Sequence, residues 1–373
     1  MSDARDPVDV TIFLQDLRGG GAERAFLRLA RGMIAAGRTV EIVLVGPRND
    51  YPNEVPPEAR IVHLGTGRVL RAIPAFARHL KRTQPRAVLS ALTHVNVAAI
   101  IAHRLSGISA PMIVSERNQF SAKTTASSNF ADRVAYWLAP KLYRRAHKVV
   151  CVSEGVAEDV RAVTGLSDTH CIAIHNPSFD PAAVSRAVEA PGHDWFAEAE
   201  GRPETVVAIG RLDPQKGFDT LVDAFAALRH RRPARLAIFG EGAERADLEA
   251  RAEAAGLTAE SFALPGFTTN PFALMARADL FVLSSRYEGF PNVLVEAMAC
   301  GAPVVATNCP SGPNEIFSPE TVSQLVDVDD AEGLAVAMER ELADPANRET
   351  LKARAALFSV DVASKKYMEV LGI

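Results

Sequence analysis

The sequence predicts an α/β fold made of two domains in tandem, each with a parallel β-sheet covered by helices on both faces. The chain has 373 residues, which is more than one hydrophobic core usually holds. Short β-rich runs alternate with helical stretches, and this alternation is typical of parallel sheets. It stops in a stretch rich in proline and glycine at 177–203 and then starts again. That interruption predicts a linker between the two domains.

The first half of the chain contains seven predicted strands and several helices. The strands are short runs of β-branched and other apolar residues, at 8–14, 40–45, 60–64, 87–91, 112–115, 148–152 and 171–175. Helices are predicted where apolar residues recur every three or four positions, at 22–36, 69–82, 134–145 and 154–163. Together these elements predict a first domain over 1–185.

The second half repeats the same alternation. Strands are predicted at 206–209, 235–239, 261–264, 279–283, 304–307 and 322–326. Helices are predicted at 220–229, 243–255 and 292–300, with a further helical stretch after Pro345. These elements predict a second domain over 186–355, followed by a C-terminal segment at 356–373.

Composition and charge exclude several classes of protein. Hydrophobic residues make up 48% and charged residues 23%, as in soluble globular proteins, and a net charge of −4 gives no sign of a nucleic-acid partner. The four cysteines form no CxxC pair, so neither a disulfide framework nor a zinc site is expected. We see neither a signal peptide nor an apolar run of about 18 residues, and we expect a cytoplasmic protein.

The charge is distributed unevenly between the two halves. Residues 1–185 carry 23 Lys and Arg against 16 Asp and Glu, whereas residues 186–373 carry 18 against 29. This asymmetry is compatible with an anionic partner of the first half, such as a phosphorylated ligand or a lipid surface. An uneven distribution without function is equally compatible with it.

A glycine-rich turn follows the first predicted strand. Gly19, Gly20 and Gly21 stand at the start of a helix, where glycines let the backbone approach a ligand and the helix amides favour an anion. The spacing is not G-x-G-x-x-G, and no acidic residue ends the second strand, so a dinucleotide site is disfavoured. A tight turn without a ligand is the alternative.

Two cations follow the first strand of the second half. Arg211 stands just beyond this strand, and Lys216 comes five residues later, before Gly217 and a helix. Two cations at a strand tip can hold a diphosphate from two sides. The alternative is a solvated surface pair without a ligand.

Two glutamates lie where the strand 279–283 leads through a loop into a helix. Glu288 is on the loop, and Asn292 is predicted to cap the helix that contains Glu296. Glutamates eight residues apart are too far along the chain for a close acid–base pair, but each can bind the vicinal hydroxyls of an extended ligand. The alternatives are an ordinary loop charge for Glu288 and a helix-dipole partner for Glu296.

Glu288 and Glu296 in this context resemble the E-x7-E motif of the retaining glycosyltransferases of family 4, which have the GT-B fold. Six further segments resemble the same family, in the same order and over nearly the whole chain. They are GGGAER at 19–24, SERN at 115–118, VCVSEGVAEDV at 150–160, IHNP at 174–177, GRLDPQKGFD at 210–219 and CPSGPNEI at 309–316. The resemblance implies two facing Rossmann-like domains with an inter-domain cleft, and a C-terminal helix that packs back on the first domain.

The resemblance also implies roles for individual residues. Arg211 and Lys216 would hold the diphosphate of a nucleotide sugar and stabilise its charge as the bond breaks. Glu288 would bind the donor sugar, and Glu296 the ribose hydroxyls; the catalytic residues are thus predicted to be Arg211, Lys216 and Glu288. Further donor-binding positions are Gly20, Gly21, Gly289, Phe290, Asn292 and Val293.

No metal or cofactor is expected, because the two cations Arg211 and Lys216 take the place of a metal ion. We expect Glu288 and Lys216 to be exposed in an open cleft. Replacing either by alanine would then abolish transfer but change the stability by less than about 1 kcal/mol.

Four residues after strands of the first half are candidates for acceptor binding or sugar orientation. His94 and Asn96 follow the strand 87–91, and Glu116 and Arg117 follow the strand 112–115. A histidine in a loop is more often uninvolved, and Glu116 with Arg117 can equally form an internal ion pair. In the family the donor phosphate is usually drawn as taking the acceptor proton, so we name no general base.

Two predicted helices of the first half carry basic residues beside apolar or aromatic ones. They lie at 69–82 and 134–145; Arg133 directly precedes the second, and a polar segment at 118–132 comes before it. Both helices could rest on an anionic membrane or be ordinary surface helices. The polar segment is either an acceptor loop or a surface excursion.

The expected function is a retaining glycosyltransferase that moves a sugar from a nucleoside-diphosphate sugar to a saccharide or lipid-linked saccharide. The resemblance implies UDP as the usual nucleotide, and envelope polysaccharide or lipopolysaccharide biosynthesis at the inner face of the membrane. An epimerase-like enzyme, an NAD-dependent dehydrogenase and a catalytically silent nucleotide-sugar-binding subunit are the alternatives. The two-glutamate motif favours transfer, and the missing dinucleotide fingerprint disfavours a dehydrogenase. Four charges kept around one cleft disfavour a silent subunit.

Overall fold

The structure is a computed structural model, and it describes residues 7–18, 20–121, 130–196, 201–318 and 324–373. The chain divides into two compact units, 1–177 with 360–373, and 178–359; the sequence predicts these boundaries at 185/186 and 355/356. The chain enters and leaves the second unit side by side, because the amides of Ser178 and Phe179 both donate to the carbonyl of Phe358 at 3.0 Å.

A seven-stranded sheet forms the centre of the first unit, with strand order β3-β2-β1-β4-β5-β6-β7. Every neighbouring pair is parallel. Strands such as β1, β2 and β4 are buried along their whole length, which explains why they read as nearly continuous apolar runs. The strands are β1 (Val10–Leu14), β2 (Val40–Leu44), β3 (Arg60–His63), β4 (Ala87–Ala91), β5 (Met112–Glu116), β6 (Lys148–Cys151) and β7 (Cys171–Ala173).

Five described helices connect these strands. They are α1 (Gly21–Ala35), α2 (Val69–Thr83), α3 (Thr93–Ser106), α4 (Phe130–Leu142) and α5 (Glu154–Thr164). Helix α3 is absent from the helices predicted above because most of its residues are buried, so it lacks the one-sided apolar stripe of a surface helix. His94 and Asn96 therefore lie in the first turn of a helix and not in a loop.

The second unit has a six-stranded sheet with order β10-β9-β8-β11-β12-β13, again parallel throughout. Its strands are β8 (Glu204–Ile209), β9 (Ala234–Phe239), β10 (Phe262–Gly266), β11 (Leu280–Leu283), β12 (Val304–Thr307) and β13 (Leu325–Val326). Residues 322 and 323 of the last predicted strand lie outside the described residues, as do Gly19 of the glycine run, residues 1–6, 122–129 of the predicted loop and 197–200 of the predicted linker.

The helices of the second unit, in chain order, are α6 (Pro181–Val184), α7 (Phe218–Arg229), α8 (Arg245–Ala254), α9 (Pro271–Met275), α10 (Asn292–Ala299), α11 (Pro313–Ile316), α12 (Ala331–Ala343) and α13 (Arg348–Ala356). Apolar residues of α7, α8 and α12 pack on those of β8 and β9 to form the main core, which includes Leu221, Phe225, Leu248 and Met338. Burying each such side chain contributes about 1.5–3 kcal/mol.

The C-terminal helix α14 (Val360–Leu371) belongs to the first unit. It packs against α1, where Gly32 permits a close approach: a Cβ atom at this position would lie 2.0 Å from Ser364 Oγ. Tyr367 of α14 is 1% exposed and lies in the core formed with β1 and β4. The end of the chain therefore completes the first core.

Each sheet has one place where the strand order reverses. In the first sheet β1 neighbours β4, and in the second sheet β8 neighbours β11. Ligands of open parallel sheets bind outside the carboxyl ends of the strands at such points. The predicted class of two parallel-sheet α/β domains is confirmed, and the two reversal points show where to look for a site.

Candidate active site

The predicted catalytic residues lie at the reversal point of the second sheet. Arg211 and Lys216 follow β8, and Glu288 follows β11. Because β8 and β11 are neighbouring strands, their carboxyl ends bring the two loops together. Lys216 and Glu288, which are far apart in the sequence, make direct contact there.

Glu288 holds its carboxylate between two donors. The Nζ atom of Lys216 and the hydroxyl of Ser285 both donate to its Oε1 atom, each at 2.7 Å. Glu288 is only 7% exposed, and the Lys216 side chain is 16% exposed. The expectation that these two groups are open to solvent is therefore wrong, because each satisfies the other's charge inside the protein.

The loop that carries Lys216 is fixed by close backbone contact. Gly217 has φ 59°, and a Cβ atom there would lie 2.3 Å from the carbonyl oxygen of Ser284. Only glycine fits a left-handed conformation this close to another backbone. The Ser284 hydroxyl also donates to the carbonyl of Lys216 at 2.8 Å, so the two loops are tied to each other.

Arg286 anchors the same loops from the other side. Its guanidinium donates to Asp329 at 2.7 Å, to Asp219 at 2.8 Å and to the carbonyl of Pro214 at 2.8 Å. The hydrogen bond that Arg286 donates to Asp219, together with the negative charge of that carboxylate, raises the pKa of Arg286. This arginine thus has a structural task, although it lies beside the predicted site.

Arg211 differs from Lys216 in its surroundings. Its side chain is 70% exposed, and its Nη2 atom lies 3.2 Å from an oxygen of Asp213. A single exposed ion pair of this kind is weak. Arg211 is therefore held loosely at the edge of the site and can turn towards an anion.

The start of α10 carries the remaining predicted donor-binding positions of this unit. The predicted helix cap at Asn292 is wrong, because α10 begins at Asn292 itself and its Oδ1 atom accepts a hydrogen bond from the Ser178 hydroxyl at 2.7 Å. Glu296 is 6% exposed and Phe290 5%, and Phe290 contacts the ring of Phe358. Gly289 is buried and Val293 half-buried.

A third loop, after β12, supports Glu288 from behind. The Ser311 hydroxyl donates to the Glu288 carbonyl. Gly312, at φ 96°, leaves room for Pro291, whose Cδ atom would be 2.4 Å from a Cβ. Burial and then the charge of Glu288 raise the pKa of the Cys309 thiol to about 12. The segment CPSGPNEI at 309–316 was part of the family resemblance, but the sequence alone indicates no role for it, nor for Ser285.

At the reversal point of the first sheet, the glycine run opens α1. The Gly20 carbonyl accepts a hydrogen bond from the Tyr51 hydroxyl at 3.2 Å, and Gly21 is the first residue of α1. The carboxylate of Glu23 folds back over this start, within 2.3 Å of where a Gly20 Cβ would lie. Burial raises the pKa of Glu23.

Asn96 and Glu116, two candidates of the first unit, lie in one buried network. Glu116 is 3% exposed and accepts hydrogen bonds from Thr93 at 3.0 Å, from Asn96 at 3.3 Å and from Tyr143. His94 is half-buried, with Nε2 2.7 Å from the Gln15 side-chain oxygen. The structure thus places Asn96 and Glu116 inside, and His94 nearer the surface.

Arg117 has partners of its own rather than a pairing with Glu116 alone. It is 7% exposed, and its guanidinium lies over the Phe26 ring, 5.1 Å from the centroid. Burial lowers the pKa of Arg117, while Tyr367 and Glu23 favour its charged form. In this structure Arg117 is part of the interior beneath α1.

Two features are absent from the residues that the structure describes. Within those ranges, no group of three or more His, Cys, Asp or Glu side chains is placed to hold a metal ion. Nor does any described helix have both the length and the apolar character needed to cross a membrane.

Two family models match the chain, one in each unit. The model described as "Glycosyl transferase 4-like domain" matches residues 20–177. The model described as "Glycosyl transferases group 1" matches residues 193–358. The two matches together include Arg211, Lys216 and Glu288, as well as His94 and Glu116.

Two curated relatives match almost end to end. The N-acetylgalactosamine-N,N'-diacetylbacillosaminyl-diphospho-undecaprenol 4-alpha-N-acetylgalactosaminyltransferase of Campylobacter jejuni is 28% identical over 97% of this chain and 99% of its own. The lipopolysaccharide core biosynthesis glycosyltransferase LpsE of Rhizobium meliloti is 28% identical over 95% and 96%.

Solved structures share the fold. HepE of Anabaena, in complex with UDP and glucose, superposes with a TM-score of 0.77 at 20% identity, over 98% of this chain and 99% of that one. A sucrose-phosphate synthase from Thermosynechococcus elongatus has a TM-score of 0.77 at 22% identity, over 98% of each chain.

Proposed function

Because this chain belongs to the group 1 glycosyl transferases, we propose that it is a retaining enzyme that transfers a sugar from a UDP-sugar to a saccharide or lipid-linked saccharide. Its GT-B fold and its glycosyltransferase activity class follow from the relatives and the family models. The proposal adds the donor, the stereochemistry and the acceptor.

The contact between Lys216 and Glu288 carries the proposal. A lysine and a glutamate 2.7 Å apart at a strand-order reversal form a pair that a nucleotide sugar can separate. The phosphate takes over the ammonium group of Lys216, and the Glu288 carboxylate is then available to accept a hydrogen bond from a sugar hydroxyl. Both groups keep a partner before and after the donor binds.

Stabilisation of the leaving group is the main chemical task. The nucleoside diphosphate gains negative charge as the bond to the anomeric carbon breaks, and fixed cations lower the energy of that state. Lys216 is held rigidly for this role, and the exposed Arg211 completes the positive pair. On this basis we propose that transfer needs no metal ion.

The names of relatives support the donor, the pathway class and the stereochemistry. HepE is solved with UDP, and the Campylobacter relative is named for an alpha linkage, which retention produces from an alpha-linked nucleotide sugar. LpsE is named for lipopolysaccharide core biosynthesis, and AmsD of Erwinia amylovora for amylovoran biosynthesis. We therefore place the enzyme in envelope polysaccharide assembly.

The test is a turnover assay with a panel of UDP-sugars and proton NMR of the first product formed. We expect release of UDP, an alpha linkage at the anomeric carbon of the transferred sugar, and an unchanged rate in EDTA. Lys216→Ala should lose at least a hundredfold in rate, roughly 3 kcal/mol, whereas the exposed Lys352→Ala serves as a matched lysine control. A beta anomer, or loss of activity in EDTA, would contradict the mechanism.

A basic face on the first unit supports a lipid-linked acceptor. We define this basic face by the exposed cations of α2 and α4, which are Arg71, Arg78, Lys81, Arg82, Arg133 and Lys141. From residue 59 to residue 115 the sequence has no Asp or Glu but eight Lys and Arg. The face also carries two apolar side chains, Leu70 and Trp137, which are 62% and 66% exposed.

We propose that the basic face rests on an anionic bilayer, at the inner side of the membrane. Each Lys or Arg near such a surface contributes about 1 kcal/mol, and a protruding tryptophan suits the headgroup region. On a helix with this mixture, contact with the membrane surface is favoured over insertion.

Sedimentation with phosphatidylglycerol or phosphatidylcholine vesicles tests this surface. We expect binding to the anionic vesicles only. Arg78→Glu with Lys81→Glu should weaken it at least tenfold. Lys365→Glu with Lys366→Glu, on the exposed side of α14, changes the net charge equally and should have less effect. Equal loss from both pairs would show that only the net charge matters.

A further inference from the structure

The turn between β4 and α3 is strained. Leu92, which precedes α3, has φ 75° and ψ 133°. A leucine rarely adopts a positive φ, because its Cβ collides with the neighbouring backbone. Such a conformation persists only where surrounding contacts hold it, and strained residues of this kind collect at functional sites.

The end of β5 supplies the contacts that hold this turn. The amide of Leu92 donates to the carbonyl of Ser115 at 3.2 Å, and the amide of Asn96 donates to the carbonyl of Leu92 at 2.8 Å. The Asn96 side chain also donates to the Ser115 carbonyl, at 2.9 Å. Backbone bonds thus fix both sides of the strained residue.

Glu116 is the common acceptor in this network. Thr93 Oγ1 donates to its Oε2 at 3.0 Å, and Asn96 Nδ2 donates to its Oε1 at 3.3 Å. The Tyr143 hydroxyl donates to Oε1 as well. The carboxylate of Glu116 therefore accepts hydrogen bonds from Thr93 and Asn96, which flank His94 in the first turn of α3.

The turn sets the position of His94. Nε2 of His94 lies 2.7 Å from the side-chain oxygen of Gln15, which follows β1. His94 therefore stands where the order of the first sheet reverses, beyond the carboxyl ends of β1 and β4. A ligand is expected at such a point, and a half-buried imidazole can hydrogen-bond a sugar hydroxyl there.

We propose that Glu116 is a positioning residue for sugar transfer, which acts through Thr93 and Asn96 to hold His94 against a sugar substrate. The proposal rests on the proposed transferase function. Glu116 itself touches no substrate, because it is buried under α3. Burial raises its pKa to about 7, and the three hydrogen-bond donors oppose that rise.

The test is a double-mutant cycle between Glu116→Gln and His94→Ala. Glutamine keeps the shape of Glu116 but turns one acceptor oxygen into a donor, so at least one bond to the turn is lost. Displacing a substrate-orienting group by a fraction of an ångström costs roughly 10- to 100-fold in rate. We expect that loss in kcat, with the KM values for donor and acceptor changed less than the rate.

The control is Glu41→Gln. Glu41 is as deeply buried in the same sheet and is bonded to His79, but it has no bond to the turn at Leu92. Thr93→Val, which removes a single bond to Glu116, replaces Glu116→Gln if the latter does not fold. We expect normal kcat for Glu41→Gln and a reduced kcat for Thr93→Val.

The His94→Ala background decides the outcome. If Glu116 acts through His94, the double variant is no slower than His94→Ala alone. Losses that multiply, or normal kcat in Glu116→Gln, would overturn the proposal. The imidazole NMR signals of His94 give a readout that needs no turnover: they should shift in Glu116→Gln and not in Glu41→Gln. An inactive wild type would refute the transferase function while this readout still decides the role of Glu116.

Discussion

Replacing Glu288 should destabilise the second unit as well as abolish transfer. The Lys216 side chain is 16% exposed and has Glu288 at 2.7 Å, and the Ser285 hydroxyl, with Ser285 fully buried, donates to the same oxygen. Glu288→Ala leaves both donors without this acceptor. Removing one partner of a buried ion pair lowers the free energy of unfolding by about 3–5 kcal/mol. Because the Lys216 side chain is partly exposed to water, we expect a loss of about 2–4 kcal/mol here.

The assay is urea unfolding followed by tryptophan fluorescence. The chain's two tryptophans are Trp137 and Trp195, one in each unit. A Trp137→Phe background therefore reports on the second unit alone. The double variant Glu288→Gln with Lys216→Met should regain most of the stability, since replacing both partners of such a pair by neutral groups is often nearly neutral.

The matched control is Glu332→Gln, which breaks an exposed ion pair with Arg231 in the same unit. Surface pairs contribute about 0–1 kcal/mol, so this variant should unfold almost as the wild type does. If Glu288→Ala also changed the free energy of unfolding by less than about 0.5 kcal/mol, Glu288 would not be a buried partner of Lys216, and the reasoning would be refuted.

Three further predictions concern single groups. The pKa of Glu116 is raised from its ordinary 4.5 to about 7, so the folded protein keeps this proton longer. The free energy of unfolding therefore falls as the pH rises through that window, by about 3 kcal/mol in all; urea titrations from pH 5 to 8 should show this slope in the wild type and not in Glu116→Gln. Gly217→Ala, whose Cβ meets the Ser284 carbonyl, should lower the urea midpoint more than Gly37→Ala, which is strained only by its φ of 77°. A variant pair with equal midpoints would contradict the close contact. Burial raises the pKa of the Cys309 thiol to about 12, so this cysteine should resist iodoacetamide at pH 8 until urea unfolds the chain. Rapid labelling of Cys309 in the native protein, located by peptide mass spectrometry, would contradict its burial.

The architecture could be predicted because parallel strands buried on both faces leave a clear trace in the sequence. β1, β4 and β12 are nearly continuous apolar runs, each with a single Thr or Ser, in a chain of alternating elements. The same pattern predicted that Arg211, Lys216 and Glu288 lie on loops of the site, since ligands of parallel sheets bind beyond the carboxyl ends of the strands. The family resemblance added their roles.

Other features depend on contacts between distant residues. Lys216 and Glu288 are 72 positions apart, so periodicity could not reveal that they bury each other. Asn292 was predicted to cap a helix because asparagine favours that position. Its side-chain oxygen instead accepts a hydrogen bond from the hydroxyl of Ser178, which is 114 positions away in the sequence. Helix α3 was missed because it is buried on most sides.

The network at Glu116 shows both the reach and the limit of sequence reasoning. The positions of Glu116 and Asn96 after neighbouring strands were predicted, as was the possibility of an internal partner. What the sequence could not show is that the hydrogen-bond donors to Glu116 are Thr93, Asn96 and Tyr143. The positive φ of Leu92 leaves no mark in the sequence, because leucine is not a residue expected there.

The thermal stability of the purified chain, measured with UDP, GDP, ADP or TDP and no added metal, tests whether this site binds a UDP-sugar. We predict that UDP raises the melting temperature selectively and that this rise is lost in both Lys216→Ala and Glu296→Ala. If none of the four nucleotides stabilised the protein, or if UDP stabilised Lys216→Ala as strongly as the wild type, the assignment of this site to a UDP-sugar would be contradicted.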